Sequence, residues 1–180
     1  TILNEFPIAE LDFFVEEGYI TSADRDKALD NLHLFAELKE AVEDADYVLE
    51  ACPERLDIKK NLFVQLEKCT KSTCVLATNT SSLQLKDITA ELKDETKARS
   101  MVCHWYNPAY LIPIAELSKF GNMSDEMFDA VYELYVSCEK KPVRIMKDVP
   151  GMVANRILHA LARECFHLLD EGVTEIEDLD

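Results

Sequence analysis

The sequence predicts an α/β fold, a doubly wound and mostly parallel sheet followed by the start of a helical segment. Three observations carry that prediction. Compact apolar runs alternate with stretches of helical periodicity as far as Trp105, and alternation of this kind implies right-handed crossovers between parallel strands. After Asn107-Pro108 the apolar run Leu111 to Leu117 follows too closely to cross over through a helix, so it should turn back antiparallel. Beyond Pro150-Gly151, apolar residues recur at helical spacing from Met152 to Leu169, as one long helix.

Taken in order, Ile20-Thr21-Ser22-Ala23-Asp24 reads as a helix start, with Ser22 offering its oxygen to the orphan amides of a helix that runs to Leu29. Leu32 to Phe35 is expected as a short strand and Leu38 to Val42 as a short helix. The run Tyr47-Val48-Leu49-Glu50-Ala51, between Asp46 and Pro53, reads as a buried parallel strand. Asp57 to Cys69 is an amphipathic helix with Ile58, Leu62, Phe63 and Leu66 on one face. Cys74 to Ala77 is the next strand, Leu85 to Leu92 a helical stretch, and Arg99 to Trp105 a further strand. A helix from Ser124 to Cys138 and a strand from Val143 to Met146 lead to Asp148-Val149-Pro150-Gly151, the best linker candidate.

Charge narrows the choice of partners. With 19 Lys+Arg against 35 Asp+Glu, the formal charge of −16 repels polyanions and leaves no footprint for nucleic acid or an anionic membrane. No run approaches the roughly 18 to 20 apolar residues of a membrane span, and Thr1 to Tyr19 has neither a basic start nor a small-residue cleavage site. A soluble, cytoplasmic protein is expected. Cys52, Cys69, Cys74, Cys103, Cys138 and Cys165 are scattered among apolar neighbours and read as buried free thiols. Neither they nor His33, His104, His159 and His167 have the paired spacing of a metal site.

The chemistry gathers where strands end and helices begin. Asn79-Thr80-Ser81-Ser82 follows the strand at Val75, and His104 ends the next one. Glu116 is embedded in the apolar run Ile112-Pro113-Ile114-Ala115-Glu116-Leu117. A charge in a strand otherwise built for burial costs several kcal/mol unless something pairs with it, and His104 on the neighbouring strand is the obvious partner. A His held by a carboxylate through one ring nitrogen leaves the other free to take a proton from an alcohol. Asn155, near the start of the long helix, reads by itself as a residue bonding to local backbone.

Four segments then follow in the order and at about the spacing of one family. They are Asp46 to Phe63 (DYVLEACPERLDIKKNLF), Ala77 to Leu83 (ATNTSSL), His104 to Pro108 (HWYNP) with Glu116, and Asp148 to Arg156 (DVPGMVANR). Over nearly its whole length the chain resembles the NAD-dependent 3-hydroxyacyl-CoA dehydrogenases. The resemblance implies His104 as general base, Glu116 as its orienting carboxylate, and Ser81 and Asn155 as polar groups around the substrate oxygen. It implies that Glu54, Lys59, Ser81 and Asn107 face NAD, although Lys59 read alone is a solvated helix lysine. It further implies a partial Rossmann domain over 1–148 and the beginning of an all-helical C-terminal domain over 149–180, through which full-length proteins form homodimers.

The chain departs from the family in two ways. The Gly-x-Gly-x-x-Gly turn that cradles a pyrophosphate is missing, since the glycines are Gly18, Gly121, Gly151 and Gly172. The resemblance therefore implies an internal piece of a longer protein. The second departure is at the substrate: Glu5 to Glu17 carries Glu5, Glu10, Asp12, Glu16 and Glu17 and no Lys or Arg, where acyl-CoA enzymes carry basic and hydroxyl residues. Asn107-Pro108-Ala109-Tyr110 is similar to the turn of relatives that oxidise free hydroxy acids such as gulonate or carnitine, whereas Asn79 to Ser82 resembles the acyl-CoA branch. The implied activity is oxidation of an L-3-hydroxyacyl-CoA to a 3-ketoacyl-CoA, of the fatty-acid β-oxidation type. The alternatives are the same reaction on a small free 3-hydroxy acid, or a catalytically silent structural or binding module.

Overall fold

The computed structural model describes residues 2–119, 123–147 and 149–179, with side chains from Ile8 onward; Gly121, Asp148 and the Glu5 side chain lie outside the described residues. The chain divides into two compact units, Thr1–Ala41 and Val42–Asp180.

In the first unit, helix α1 (Ile2–Glu16) is followed by α2 (Ser22–Asp30). The cap of α2 is Thr21 and not the expected Ser22: Thr21 Oγ1 accepts from the Asp24 amide while the Asp24 carboxylate accepts from the Thr21 amide. Two adjacent hydroxyls compete for that cap, and the acid at Asp24 decides, because only a spacing of three residues closes the reciprocal box. Arg25 of α2 pairs with Asp12 of α1 at 2.6 Å. Leu32 to Phe35, expected as a strand, is irregular backbone that does not enter the sheet. Leu32, Leu34 and Phe35 stay between 45% and 58% exposed, since an apolar run becomes a strand only where a partner edge supplies ladder bonds.

After α3 (Leu38–Val42), the second unit is built on five strands: β1 (Tyr47–Glu50), β2 (Val75–Thr78), β3 (Ser100–Trp105), β4 (Ile114–Ser118) and β5 (Lys141–Ile145). Their spatial order follows the chain. β1, β2 and β3 are parallel, β4 returns antiparallel to β3, and β5 runs parallel to β4. This is one arm of a Rossmann-like doubly wound sheet, closed by the reversal that the Asn107-Pro108 turn predicted. Helix α4 (Leu56–Cys69) joins β1 to β2. The helix expected over Leu85–Leu92 stops early, as α5 (Leu85–Ile88), because Thr89 turns its hydroxyl back onto the Leu85 carbonyl. An unexpected turn of helix, α6 (Asp94–Lys97), follows. Helix α7 (Asp125–Ser137), capped by Ser124, joins β4 to β5. Beyond β5 come α8 (Ala154–Asp170) and α9 (Ile176–Leu179).

Alternation along the strands gives the sheet two unlike faces. On one, Val75, Ala77, Met101, Cys103, Ala115 and Leu117 pack against Phe128, Val131 and Tyr135 of α7. The residues between them point the other way: Glu50, Thr78, His104, Glu116 and Ser118, all at most 4% exposed. Lys59 of α4 reaches Glu50 from that side. Burial of the thiols is less complete than expected: Cys74 and Cys103 are buried, Cys138 is exposed, and Cys52, Cys69 and Cys165 lie between. Helix α8 follows the sheet within the second unit. No residue of α8 is buried, and Ile157, Leu158, Leu161 and Phe166 are between 59% and 66% exposed. No helix among the described residues is long and apolar enough to cross a membrane.

Candidate active site

His104 and Glu116 are register partners on the antiparallel pair β3–β4, so their side chains leave the same face. His104 Nδ1 lies 3.0 Å from Glu116 Oε2, and both residues are buried. That same oxygen accepts the Tyr106 hydroxyl at 2.6 Å. The other oxygen, Oε1, accepts the amides of Val153 and Ala154 at 2.9 Å each, where α8 begins. Burial disfavours the charged carboxylate, but His104, Tyr106 and the two amides outweigh it and hold Glu116 down to about 2. Glu116 is therefore an anion at neutral pH and an acceptor only, which puts the imidazole proton on Nδ1. Nε2 is left to accept, and Ser81 Oγ stands 3.1 Å from it.

Ser81 is held there by Glu54. One oxygen of Glu54 accepts from Thr80 Oγ1 at 2.5 Å and from the Ser81 amide, the Ser82 amide and the Ser82 hydroxyl at 3.0 Å each. Burial opposes ionisation of Glu54, yet the bonds from Thr80 and Ser82 prevail and keep its carboxyl below the usual range. Asn79 ties the same turn to the end of β3 by accepting the Trp105 amide at 2.8 Å. Turn 79–83 is thereby fixed from two sides, and the Ser81 hydroxyl has little freedom to leave the imidazole.

The remaining expected residues are placed differently. Lys59 is 1% exposed, with its ammonium 2.7 Å from Glu50 and 3.4 Å from Glu54. Glu50 also accepts from Thr78 Oγ1 and from the Cys52 amide, so this lysine serves a buried ion pair that sequence reasoning missed. Its signal was available: Lys59, Phe63 and Leu66 form the buried stripe of α4, and Glu50 closes an apolar strand just as Glu116 interrupts one. Asn107 is exposed in the turn after β3. Asn155 lies in the first turn of α8, one residue past an amide that reaches Glu116, and among the described residues its side chain makes no hydrogen bond to His104 or Ser81. Tyr106 had not been singled out; it stands inside HWYNP with nothing in the local pattern to mark its hydroxyl. Among the described residues no group of three or more His, Cys, Asp or Glu is arranged to hold a metal ion.

Because β1, β2 and β3 are parallel, the loops holding Glu54, Ser81 and Asn107 lie at one edge, beyond the carboxyl ends of the strands. That is where open α/β sheets take their ligands. The architecture is thus that of a Rossmann-like domain with a buried His-carboxylate pair at the edge where such sheets take ligands. Residues 6–149 match the family described as "3-hydroxyacyl-CoA dehydrogenase, NAD binding domain". The chain belongs to that family.

Individual relatives agree with this. An L-carnitine dehydrogenase of Pseudomonas putida is 30% identical over 99% of this chain and 52% of its own length. A probable 3-hydroxyacyl-CoA dehydrogenase of Caenorhabditis elegans is 34% identical over 84% of the chain and 48% of its own length. The crystal structure of 3-hydroxybutyryl-CoA dehydrogenase from Escherichia coli superposes with a TM-score of 0.88 at 32% identity, over 94% of this chain and 35% of that one. The chain thus spans about half the length of the curated relatives it matches.

Proposed function

We propose that the protein carrying this chain oxidises the C3 hydroxyl of a 3-hydroxyacyl compound with NAD, and that His104 is the base. The observation that carries this reading is the orientation of the imidazole: Nδ1 is engaged by an ionised Glu116, and Nε2 is aimed at the Ser81 hydroxyl. A substrate alcohol beside Ser81 can surrender its proton to Nε2, and Glu116 then stabilises the imidazolium without taking the proton itself. NAD, when bound, supplies the hydride acceptor. The residues present fit the nicotinamide end of that cofactor. Ser81, Glu54 and Asn107 gather at the strand ends, with Lys59 acting through Glu50 and Glu54. The Ser81 and Ser82 amides are committed to Glu54, so this turn offers no cradle for the pyrophosphate. Asn155, in the first turn of α8, is assigned to the polar surround of the substrate oxygen by the family resemblance alone. In the full-length protein, His104→Ala or Glu116→Gln should lower kcat by about 10²- to 10⁴-fold; a loss below about threefold would sink the assignment.

For the substrate, family membership and the Asn79 to Ser82 turn favour an acyl-CoA thioester. A second reading, a small free 3-hydroxy acid, is favoured by the sequence: Glu10, Asp12, Glu16 and Glu17 stand where the resemblance puts the basic and hydroxyl residues of acyl-CoA enzymes, and Asn107-Pro108-Ala109-Tyr110 is similar to the turn of relatives that oxidise free hydroxy acids. Acidic side chains repel a CoA phosphate most at low salt. Assays of the full-length protein with 3-hydroxybutyryl-CoA and with free 3-hydroxybutyrate, gulonate and carnitine, each at two salt concentrations, separate the readings. Turnover of a free acid with the higher kcat/KM, and none of the thioester, overturns the CoA reading.

A further inference from the structure

We propose that Tyr106 is a positioning residue for His104: by donating its phenol to the Glu116 oxygen that also takes His104 Nδ1, it loosens that carboxylate's hold on an imidazolium and lets the imidazole act as a base at lower pH. The role rests on His104 being the base, as proposed above. Its geometric ground is the sharing of one atom. Glu116 Oε2 is 2.6 Å from the Tyr106 hydroxyl and 3.0 Å from His104 Nδ1. A carboxylate oxygen has lone pairs for both donors, and the shorter, charge-assisted bond is the one to the phenol. Charge drawn toward Tyr106 is charge that no longer faces the ring of His104, and an imidazolium is favoured in proportion to the anion beside it.

The phenol is suited to stay a donor. Burial first, and then the carboxylate it touches, push its ionisation above the ordinary tyrosine value. Its ring also meets the imidazole edge-on, with centroids 4.6 Å apart, so it fixes the plane of His104 as well as the sharing of Oε2. Among the described residues, few other groups surround the imidazole. Glu116 faces it from β4, and Ser81, uncharged, from the turn after β2, with Glu54 one hydrogen bond further. From α8 only the neutral amides of Val153 and Ala154 reach the shared carboxylate. Among these, Tyr106 is the hydroxyl whose removal changes what Oε2 offers to His104 while leaving every charge in place.

The test uses the full-length protein with Tyr106→Phe, which keeps the ring and deletes the donor, and with 3-fluorotyrosine at position 106, which is a stronger donor. In the pH profile of kcat/KM, the acid-side inflection should move up for the Phe variant by on the order of half to one pH unit. Activity well below the inflection then falls about three- to tenfold, with a smaller loss on the plateau. The fluorinated variant should move the inflection down. An unmoved inflection with a uniform loss at all pH values overturns the proposal and leaves Tyr106 as packing. A ¹⁵N titration of the His104 ring in the same three proteins reads the shift without turnover. If the shift is present but no 3-hydroxy substrate is oxidised, the dehydrogenase reading fails, and what stands is that Tyr106 tunes the His104 imidazole through Glu116. If the shift is absent, the role of Tyr106 fails whatever the activity.

Discussion

Under α7, the sheet buries Ala77, Met101, Cys103, Ala115 and Leu117, while its opposite face buries Glu50, Thr78, His104 and Glu116 just as completely. The first face is held mainly by apolar contacts that are individually small and interchangeable, with the uncharged Tyr135 hydroxyl joining Tyr47, Cys103 and Trp105. The second is held by partners that need one another: Lys59 and Thr78 for Glu50, His104 and Tyr106 for Glu116. No buried side-chain polar atom among the described residues lacks a partner. The difference teaches where function can be placed in such a sheet. A face that already carries complete ionic sets can hold an oriented imidazole beside an ionised carboxylate.

The comparison can be broken by removing one member of a set. Lys59→Met should destabilise by about 3–5 kcal/mol, because it strands the buried Glu50 without its partner. Pairing it with Glu50→Gln should restore most of that loss, and urea unfolding of the single and double variants measures both. A destabilisation below about 1 kcal/mol for the single variant would mean that Glu50 is not held by Lys59. A slightly smaller effect is expected from pH. Glu116 is lowered from its ordinary 4.5 to about 2, so the folded state binds its proton less readily than the unfolded chain. Its contribution is complete above pH 4.5 and is lost as pH falls through 2. By that linkage it is worth about 3 kcal/mol. The stability deficit of Glu116→Gln should therefore be largest near pH 6 and shrink toward pH 2; a deficit constant with pH would refute the linkage. The smallest effect belongs to the apolar face, where Leu117→Met should cost less than about 1.5 kcal/mol, since volume is conserved and no partner is stranded. A thermal melt showing a loss as large as that of Lys59→Met would erase the contrast between the faces.

Much of this is legible in the sequence. Glu116 declared itself as a charge inside an apolar run, and the short Asn107-Pro108 connection implied the hairpin that brings it to His104. What escaped were contacts whose partners are joined only by the fold. Glu50 carried the same signal as Glu116, yet its counter-ion sits on α4, and a lysine on an amphipathic helix reads by default as solvated. The hold of Glu54 on the Ser81 turn was equally hidden, because its four donors lie 26 to 28 residues away. Leu32 to Phe35 failed as a strand because apolar content says nothing about whether an edge is available. The cap of α2 was one residue off although the deciding acid, Asp24, was in view.

Glu116 also joins two parts of the molecule mechanically. Through Oε1 it holds the first amides of α8, and through Oε2 it steers His104. The helix cannot tilt away from the sheet without withdrawing two of the four bonds that keep this carboxylate ionised and aligned. The start of the helix and the aim of the imidazole therefore hang from the two oxygens of one side chain, so the seating of α8 and the orientation of His104 share a single anchor.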